Sequence, residues 1–297
     1  MSHVWCKLFP VSFCVCLLTG IMNASAQQPT PADLSGSSIE TETDAPMMPK
    51  ANMDTLSAAE KVEESIGSYR KLRTYRDTGT FEMIRERPQL VLRAECEFST
   101  VFDREGGFKF SILRTAPRRK LHPSLVWSAD HETYNYWSEH FNSATSRSDK
   151  VLAYALLNVD KGFADTLVKV VLPLLRPSIG EGDGWPTYLS ELEELKDSGT
   201  ETIDEVACWI IEGKDGKKHD VKIWMDDKLL IRKYVIVSEY NTSELDPRML
   251  LKVGGGPNEQ RKTTETAVFK PVINEAVASK DLEVVLPIAA PHDAQKP

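Results

Sequence analysis

The sequence predicts an α+β fold in which an antiparallel sheet of about ten strands packs on three or four helices. Apolar and polar residues alternate over residues 90–103, as is typical of an antiparallel strand with one buried face. Residues 199–240 form a series of strand-like segments that are separated by short turns rather than by helices. Residues 164–175 are apolar on most sides, which predicts a helix buried against the sheet.

The helices are predicted from apolar residues that recur every three or four positions. Ser57 and Glu60 have the spacing of a capping box, so an amphipathic helix is expected to begin there. Two apolar helices are expected over residues 149–158 and 164–175, and a short acidic helix over residues 187–196.

The remaining elements are predicted as strands. Gly79 lies inside the first of them, which indicates either a β-bulge or a close approach of a neighbouring group. Besides the segments within 199–240, the predicted strands are residues 74–85, 90–103, 108–114, 124–129, 133–138, 265–269 and 281–286.

The first 26 residues have the organisation of a secretion signal. Lys7 precedes an apolar run, and Ala24-Ser25-Ala26 has the small-x-small pattern of a cleavage site. The apolar run is about 15 residues long and contains Pro10, whereas a membrane-spanning helix needs about 20 apolar residues. We therefore expect a periplasmic or secreted protein, cleaved near Ala26.

Composition divides the rest of the chain into three parts. Residues 27–53 are rich in Pro, Ser, Thr and acidic residues, so they are expected to form a disordered linker. Residues 54–287 are expected to form the folded domain, and residues 288–297 a disordered tail. No later segment approaches the length of a membrane span, and we expect a monomer.

The charge of the chain bears on its partners. The formal net charge is -8, and we identify no basic cluster along the sequence. Nucleic acids and anionic membranes are bound through Lys and Arg, so neither is expected as a partner.

Two cysteines, Cys96 and Cys208, lie outside the signal, and both fall in strand-like runs. An oxidising compartment allows a disulfide between them, while two buried thiols are the alternative that a sheet core of this size favours. The sequence leaves both open.

No set of residues has the spacing of a catalytic or metal site. His131-Glu132 begins like a zinc-protease motif, but the second His is replaced by Asn135. Asp226-Asp227 is typical of a tight turn, and Cys208 has no His near it in the sequence. We therefore expect a protein that is not an enzyme and that carries no metal and no cofactor.

The order of these elements is similar to that of the exported bacterial LolA-type lipoprotein carriers. The matching runs are SYRKLRTYRDTGTF, VWSAD followed by residues 134–137, VLPLL, the strand 206–212, VKIWMD with LIRK, and FKPVINEAV. The resemblance implies a strongly curved sheet, a half-barrel, wrapped around a few helices and enclosing an apolar cavity that accepts acyl chains. One departure is the turn after the Trp127 strand, where Asp130-His131 stands in place of Asp-Gly.

Large aromatic residues on the predicted strands suggest the site. They either fill the core or line a cavity that is open to an apolar ligand, because ligand pockets are mostly apolar. The candidate lining residues are Phe98, Trp127, Trp137, Leu172, Leu175 and Trp224. The expected function is the binding of an acyl chain or lipidated protein between sheet and helices. The alternative is an envelope sensor or protein-interaction module with the same fold and no lipid transport.

Overall fold

The structure is a computed structural model that describes residues 53–114, 123–138, 147–150, 152–159, 170–175, 188–244, 256 and 258–286. The predicted signal and tail lie outside the described residues, as does the predicted linker apart from Met53.

An antiparallel sheet dominates the described part of the chain, which confirms the predicted α+β class with a curved sheet. Its spatial order is β6-β5-β4-β3-β2-β1-β11-β10-β9-β8-β7, and β12 pairs with the start of β1. The strands are β1 Thr74–Arg87, β2 Leu90–Asp103, β3 Gly107–Arg114, β4 Ser124–Ser128, β5 Tyr134–Trp137, β6 Arg147–Asp149, β7 Glu193–Ile203, β8 Val206–Lys214, β9 Asp220–Met225, β10 Ile231–Asn241, β11 Gln260–Phe269 and β12 Val272–Ile273.

Two meanders meet at the centre of this sheet. The strands β1 to β6 run outward from the centre, and the strands β7 to β11 run back toward it. The centre is closed by the long antiparallel pairing of β1 with β11, in which Phe81 lies opposite Ala267. Since β1 also pairs with β2 along its whole length, β1 is hydrogen-bonded on both sides over most of its residues.

Four α-helices are described: α1 Ala58–Lys71, α2 Leu152–Val159, α3 Leu172–Leu175 and α4 Ser279–Leu282. The predicted capping box is present at the start of α1. The Ser57 hydroxyl accepts a hydrogen bond from the Glu60 amide at 3.3 Å, and the Glu60 carboxylate accepts one from the Ser57 amide at 2.8 Å. These bonds satisfy amide groups that have no partner within the helix.

The helices α1, α2 and α3 pack on one face of the sheet, which we call the inner face. Their buried residues form one apolar cluster with every second residue of the strands, for example Phe98 on β2 and Tyr234 on β10. The described residues of the apolar segment 164–175 belong to this cluster, and Leu174 is completely buried. Burial of that segment, as predicted, is thereby confirmed over residues 170–175.

Two predicted elements differ from the structure. Residues 187–196 contain a short 3-10 turn, Tyr188–Glu191, and then the first residues of β7 rather than an acidic helix. The sheet edge at β7 exposes most side chains on both faces, so the strand lacks the alternation by which a half-buried strand is recognised.

Residues 281–286 do not form the predicted strand. Asp281 ends up in α4, where its carboxylate accepts a hydrogen bond from the Ala278 amide at 3.2 Å and pairs with Arg76 at 2.8 Å. The strand that pairs with the start of β1 is β12 instead, with Ile273 opposite Tyr75.

Gly79 marks a close approach, since the register of β1 runs past it without a shift. A Cβ atom added there would lie 2.1 Å from the Val268 carbonyl oxygen and 2.4 Å from Cζ of Phe98. We expect Gly79→Ala to lower the free energy of unfolding by about 1–3 kcal/mol, as overpacked cores do. Urea unfolding followed by tryptophan fluorescence measures this change.

The matched control is Gly67→Ala in α1, where an added Cβ meets nothing within 4 Å. Alanine is the better helix former, so this variant should gain about 0.5–1 kcal/mol. Equal effects of the two substitutions would contradict the close packing around Gly79.

Candidate ligand-binding site

Three of the six predicted site residues meet on the inner face. The Phe98 ring lies in an edge-to-face arrangement with Phe269, at 5.4 Å between ring centroids, and 6.4 Å from Phe110. Leu172 and Leu175 of α3 belong to the same apolar cluster. These three residues therefore belong to the apolar layer between the sheet and the helices.

The other three predicted residues lie on the opposite, outer face. Ile223 and Met225 flank Trp224 on β9 and point into the cluster, so Trp224 points away from it. Its indole N–H donates to the Glu201 carboxylate at 2.7 Å, and the Lys233 ammonium lies 4.4 Å from the ring centroid.

Trp127 and Trp137 are placed in the same way. Their strand neighbours Val126 and Tyr136 belong to the inner cluster. The expectation that all three tryptophans face the helices is therefore corrected. Strand alternation puts a residue on one face or the other, but apolar neighbours on both sides hide which face it is.

A buried hydroxyl without a partner stands out on the inner face. The side chain of Tyr234 is completely buried and packs against Phe269, with 5.7 Å between ring centroids. Its hydroxyl has no hydrogen-bond partner among the described residues. Burial raises the pKa of Tyr234 well above its usual value, and the Glu265 carboxylate adds to this shift. The hydroxyl is therefore a neutral hydrogen-bond donor.

The inner face becomes polar and open at one end of the central strands. Beyond Met83 on β1 the next side chains on this face are Arg85 and Arg87. Leu92 lies directly opposite Arg85, and Leu90 lies opposite Arg87. These two leucines are 43% and 47% exposed, so apolar and cationic groups lie side by side at this end.

A pocket of about 380 Å³ lies at this open end, and we call it the arginine pocket. It is polar, and its lining joins the ends of β1, β10 and β11. Its lining includes Arg85, Arg87, Ser238, Tyr240, Arg261 and Glu265. Sequence reasoning missed this pocket because its arginines come from strands that are distant in the chain. The only available signal was the continued alternation of β1 into Arg85 and Arg87.

The outer face carries a second, larger groove of about 550 Å³, which we call the Trp224 groove. Its apolar part consists of Trp224, Val235 and Val237. Its charged part is an ion-pair network in which the Glu212 carboxylate lies 2.6 Å from the Lys222 ammonium and 3.1 Å from that of Lys196. Hydrogen bonds from these lysines lower the pKa of Glu212 to about 2.

The two histidines in the described part of the chain have hydrogen-bond partners. The His131 ring nitrogen Nε2 lies 2.8 Å from the Asp103 carbonyl oxygen, and Nδ1 of His219 lies 3.0 Å from the Asp215 carboxylate. Burial raises the pKa of the Cys208 thiol to about 11, so little thiolate forms at neutral pH. Cys96 and Cys208 are both buried thiols that are not joined by a disulfide, which is the second of the two alternatives that the sequence leaves open.

No group of three or more His, Cys, Asp and Glu side chains in the described part of the chain could hold a metal ion. None of the described helices combines the length and the apolar character that crossing a bilayer requires.

No protein-family model matches the sequence, and neither does any curated protein sequence. Among solved structures, the chain is similar to the Pseudomonas aeruginosa MucA/MucB complex, with 14% identity and a TM-score of 0.38, covering 77% of this chain and 61% of that one. It is similar to a LolA superfamily protein from Nitrosomonas europaea, with 8% identity and a TM-score of 0.31, covering 77% and 98%. It is also similar to the Mycobacterium tuberculosis lipoprotein LppX, with 11% identity and a TM-score of 0.35, covering 75% and 97%.

The LolA-like fold that the sequence resembles is thus represented among the structural matches. The chain spans about three fifths of the matched MucB chain. At these identities and TM-scores, nothing about a ligand or a partner follows from the matches.

Proposed function

We propose that the chain is a non-enzymatic protein of the cell envelope that binds an apolar ligand between the inner face and the helices. An acyl chain, free or as part of a lipidated protein, is the ligand of this kind that fits the apolar cluster around Phe98, Leu172 and Leu175. The proposal includes export to the periplasm or secretion after cleavage near Ala26.

The observation that carries the proposal is the Tyr234 hydroxyl. A buried donor without a partner costs about 1–3 kcal/mol relative to the same donor in a hydrogen bond. Inside an apolar cluster, an ester oxygen of a bound acyl chain would accept this hydrogen bond while its chain contacts the surrounding apolar side chains. The unsatisfied hydroxyl is thus accounted for as part of a binding site.

We expect the purified full-length protein to retain lipid in native mass spectrometry and to bind a fluorescent fatty acid. Tyr234→Phe removes only the hydroxyl, so the affinity for a fatty-acid ester should fall about ten-fold while the stability of the ligand-free protein is maintained or rises. The control is Tyr136→Phe, also on the inner face, whose hydroxyl already accepts a hydrogen bond from Asn158 at 3.4 Å. That variant should keep its affinity.

Absence of both retained lipid and fatty-acid binding would overturn the proposal. An unchanged affinity in Tyr234→Phe would separate the hydroxyl from the ligand site, even if lipid were bound.

A second candidate function, a protein-interaction module, is favoured by the Trp224 groove. Its apolar strip, flanked by lysines and glutamates, suits an extended polypeptide with an apolar side chain over Val235 and Val237 and charged neighbours. The Trp224 ring already lies against the Lys233 ammonium. If no lipid is retained and the fatty acid does not bind, this candidate replaces the first.

A further inference from the structure

We propose that the arginine pocket holds the anionic head group, a carboxylate or a phosphate, of an amphiphile whose apolar chain contacts Leu90 and Leu92. This inference rests on the proposed function, since it defines the class of apolar ligand as acidic. It also fixes the direction of the ligand, with the head group at the open end of the central strands.

The inner face at this end of the strands carries an excess of positive charge. Three guanidinium groups, those of Arg85, Arg87 and Arg261, line the pocket from this face, whereas Glu265 contributes the one lining carboxylate there. Lys262 and Glu86 also border the pocket, but they lie opposite each other at positions that alternate to the outer face. The inner side of the pocket is therefore cationic within an acidic chain.

Arg261 and Arg85 differ in whether their guanidinium groups already pair with a carboxylate. Arg261 is 4% exposed, and its guanidinium pairs with the Glu259 carboxylate at 3.0 Å. Arg85 is exposed and makes no ion pair in the described part of the chain. A guanidinium binds a carboxylate or phosphate with two parallel hydrogen bonds, which makes Arg85 the expected direct contact. Arg261 is held in place by Glu259 and contributes its field.

An apolar surface, formed by Leu90 and Leu92, lies beside these arginines. Residues directly opposite each other on antiparallel strands have Cβ atoms about 5 Å apart, so Leu92 is the immediate neighbour of Arg85. Antiparallel sheets commonly pack one face on the core, and on β2 that apolar face continues to the exposed Leu92 and Leu90. An aliphatic chain leaving the head group would cover Leu92 and Leu90.

The arginine pocket is larger than a small inorganic anion. A water molecule occupies roughly 30 Å³ in the liquid, so a single small oxyanion would fill only a fraction of this pocket. Its volume of about 380 Å³ is therefore larger than such an anion needs, and it accommodates a bulkier head group. A free inorganic anion would also leave Leu90 and Leu92, which lie beside the pocket and outside its lining, without a contact.

The test compares palmitate with hexadecanol, which have equal chain length but differ in the charged head group. The wild-type protein should bind palmitate about ten-fold or more tightly than hexadecanol, and added salt should reduce this preference. Arg85→Gln should remove the preference by weakening palmitate about ten-fold while leaving hexadecanol binding unchanged. Leu92→Asn should weaken both ligands.

The matched control is Arg93→Gln, on the outer face of the same hairpin, where Arg93 pairs with Glu95 at 2.7 Å. It should change the affinity for neither ligand. Inorganic phosphate, titrated against bound palmitate, tests a site for free anions.

Each outcome has a defined meaning. Equal affinities for palmitate and hexadecanol in both the wild type and Arg85→Gln would overturn the head-group site and leave the proposed function standing. Binding of neither ligand would overturn the proposed function itself. Tight binding of phosphate, together with palmitate affinity unaffected by Leu92→Asn, would show a free-anion site and overturn the amphiphile.

Discussion

Replacing Arg232 by methionine is expected to lower the free energy of unfolding by about 3–5 kcal/mol, because it leaves a buried carboxylate without its counter-ion. The Asp226 side chain is 1% exposed. Its Oδ2 atom lies 2.7 Å from both Nε and Nη2 of Arg232. Its Oδ1 atom accepts hydrogen bonds from the backbone amides of Lys228 and Leu230, and these bonds close the turn between β9 and β10. Urea unfolding monitored by tryptophan fluorescence and by circular dichroism measures the loss.

The double variant Arg232→Met/Asp226→Asn is the control. Asparagine retains the Oδ1 acceptor of the turn but carries no charge, so the double variant should be clearly more stable than Arg232→Met alone. Arg232→Lys keeps a charge but cannot reproduce the guanidinium geometry, and it should fall between the wild type and Arg232→Met. A loss below about 1 kcal/mol for Arg232→Met would contradict a buried, charged Asp226.

Asp77→Asn is expected to change how stability depends on pH. Burial raises the pKa of Asp77 to about 7, although hydrogen bonds from the Lys270 amide at 2.8 Å and the Tyr75 hydroxyl at 2.9 Å oppose this shift. The unfolded chain releases the same proton near pH 4. Between pH 4 and pH 7 the folded state therefore binds more protons than the unfolded state, and stability falls as the pH rises.

The slope from this one group is about 1.4 kcal/mol for each pH unit in that window, and it vanishes above pH 7. Asparagine has no such proton, so the difference between wild type and Asp77→Asn should grow between pH 4 and pH 7, with the variant gaining. Unfolding free energies at pH 4.5, 5.5, 6.5 and 7.5 test this. Parallel profiles of the two proteins would contradict the raised pKa of Asp77.

Glu212 acts in the opposite direction and serves as the comparison. Its pKa is lowered to about 2, so the folded state loses stability from this ion-pair network only as the pH falls below the usual range of a glutamate. Glu212→Gln should therefore leave the slope between pH 5 and pH 7 unchanged.

Local sequence determined those parts of the fold in which each residue's role depends on its near neighbours in the chain. The capping box of Ser57 and Glu60 set the start of α1, and alternation set the bounds of β2. The edge strand β7 escaped prediction because it has no buried face to impose a pattern on its residues.

Tertiary structure alone decided the site. Alternation shows that Trp224 and Ile223 face opposite sides, but only the packing of the helices shows which side is inner. Arg85 and Arg261 lie far apart in the sequence, yet antiparallel pairing of β1 with β11 brings them to the same pocket. Charge and burial at a site depend on cross-strand neighbours, and the distance along the chain between such neighbours carries no local signal. For the same reason, only the folded structure shows that the hydroxyl of Tyr234 is buried without a partner among the described residues.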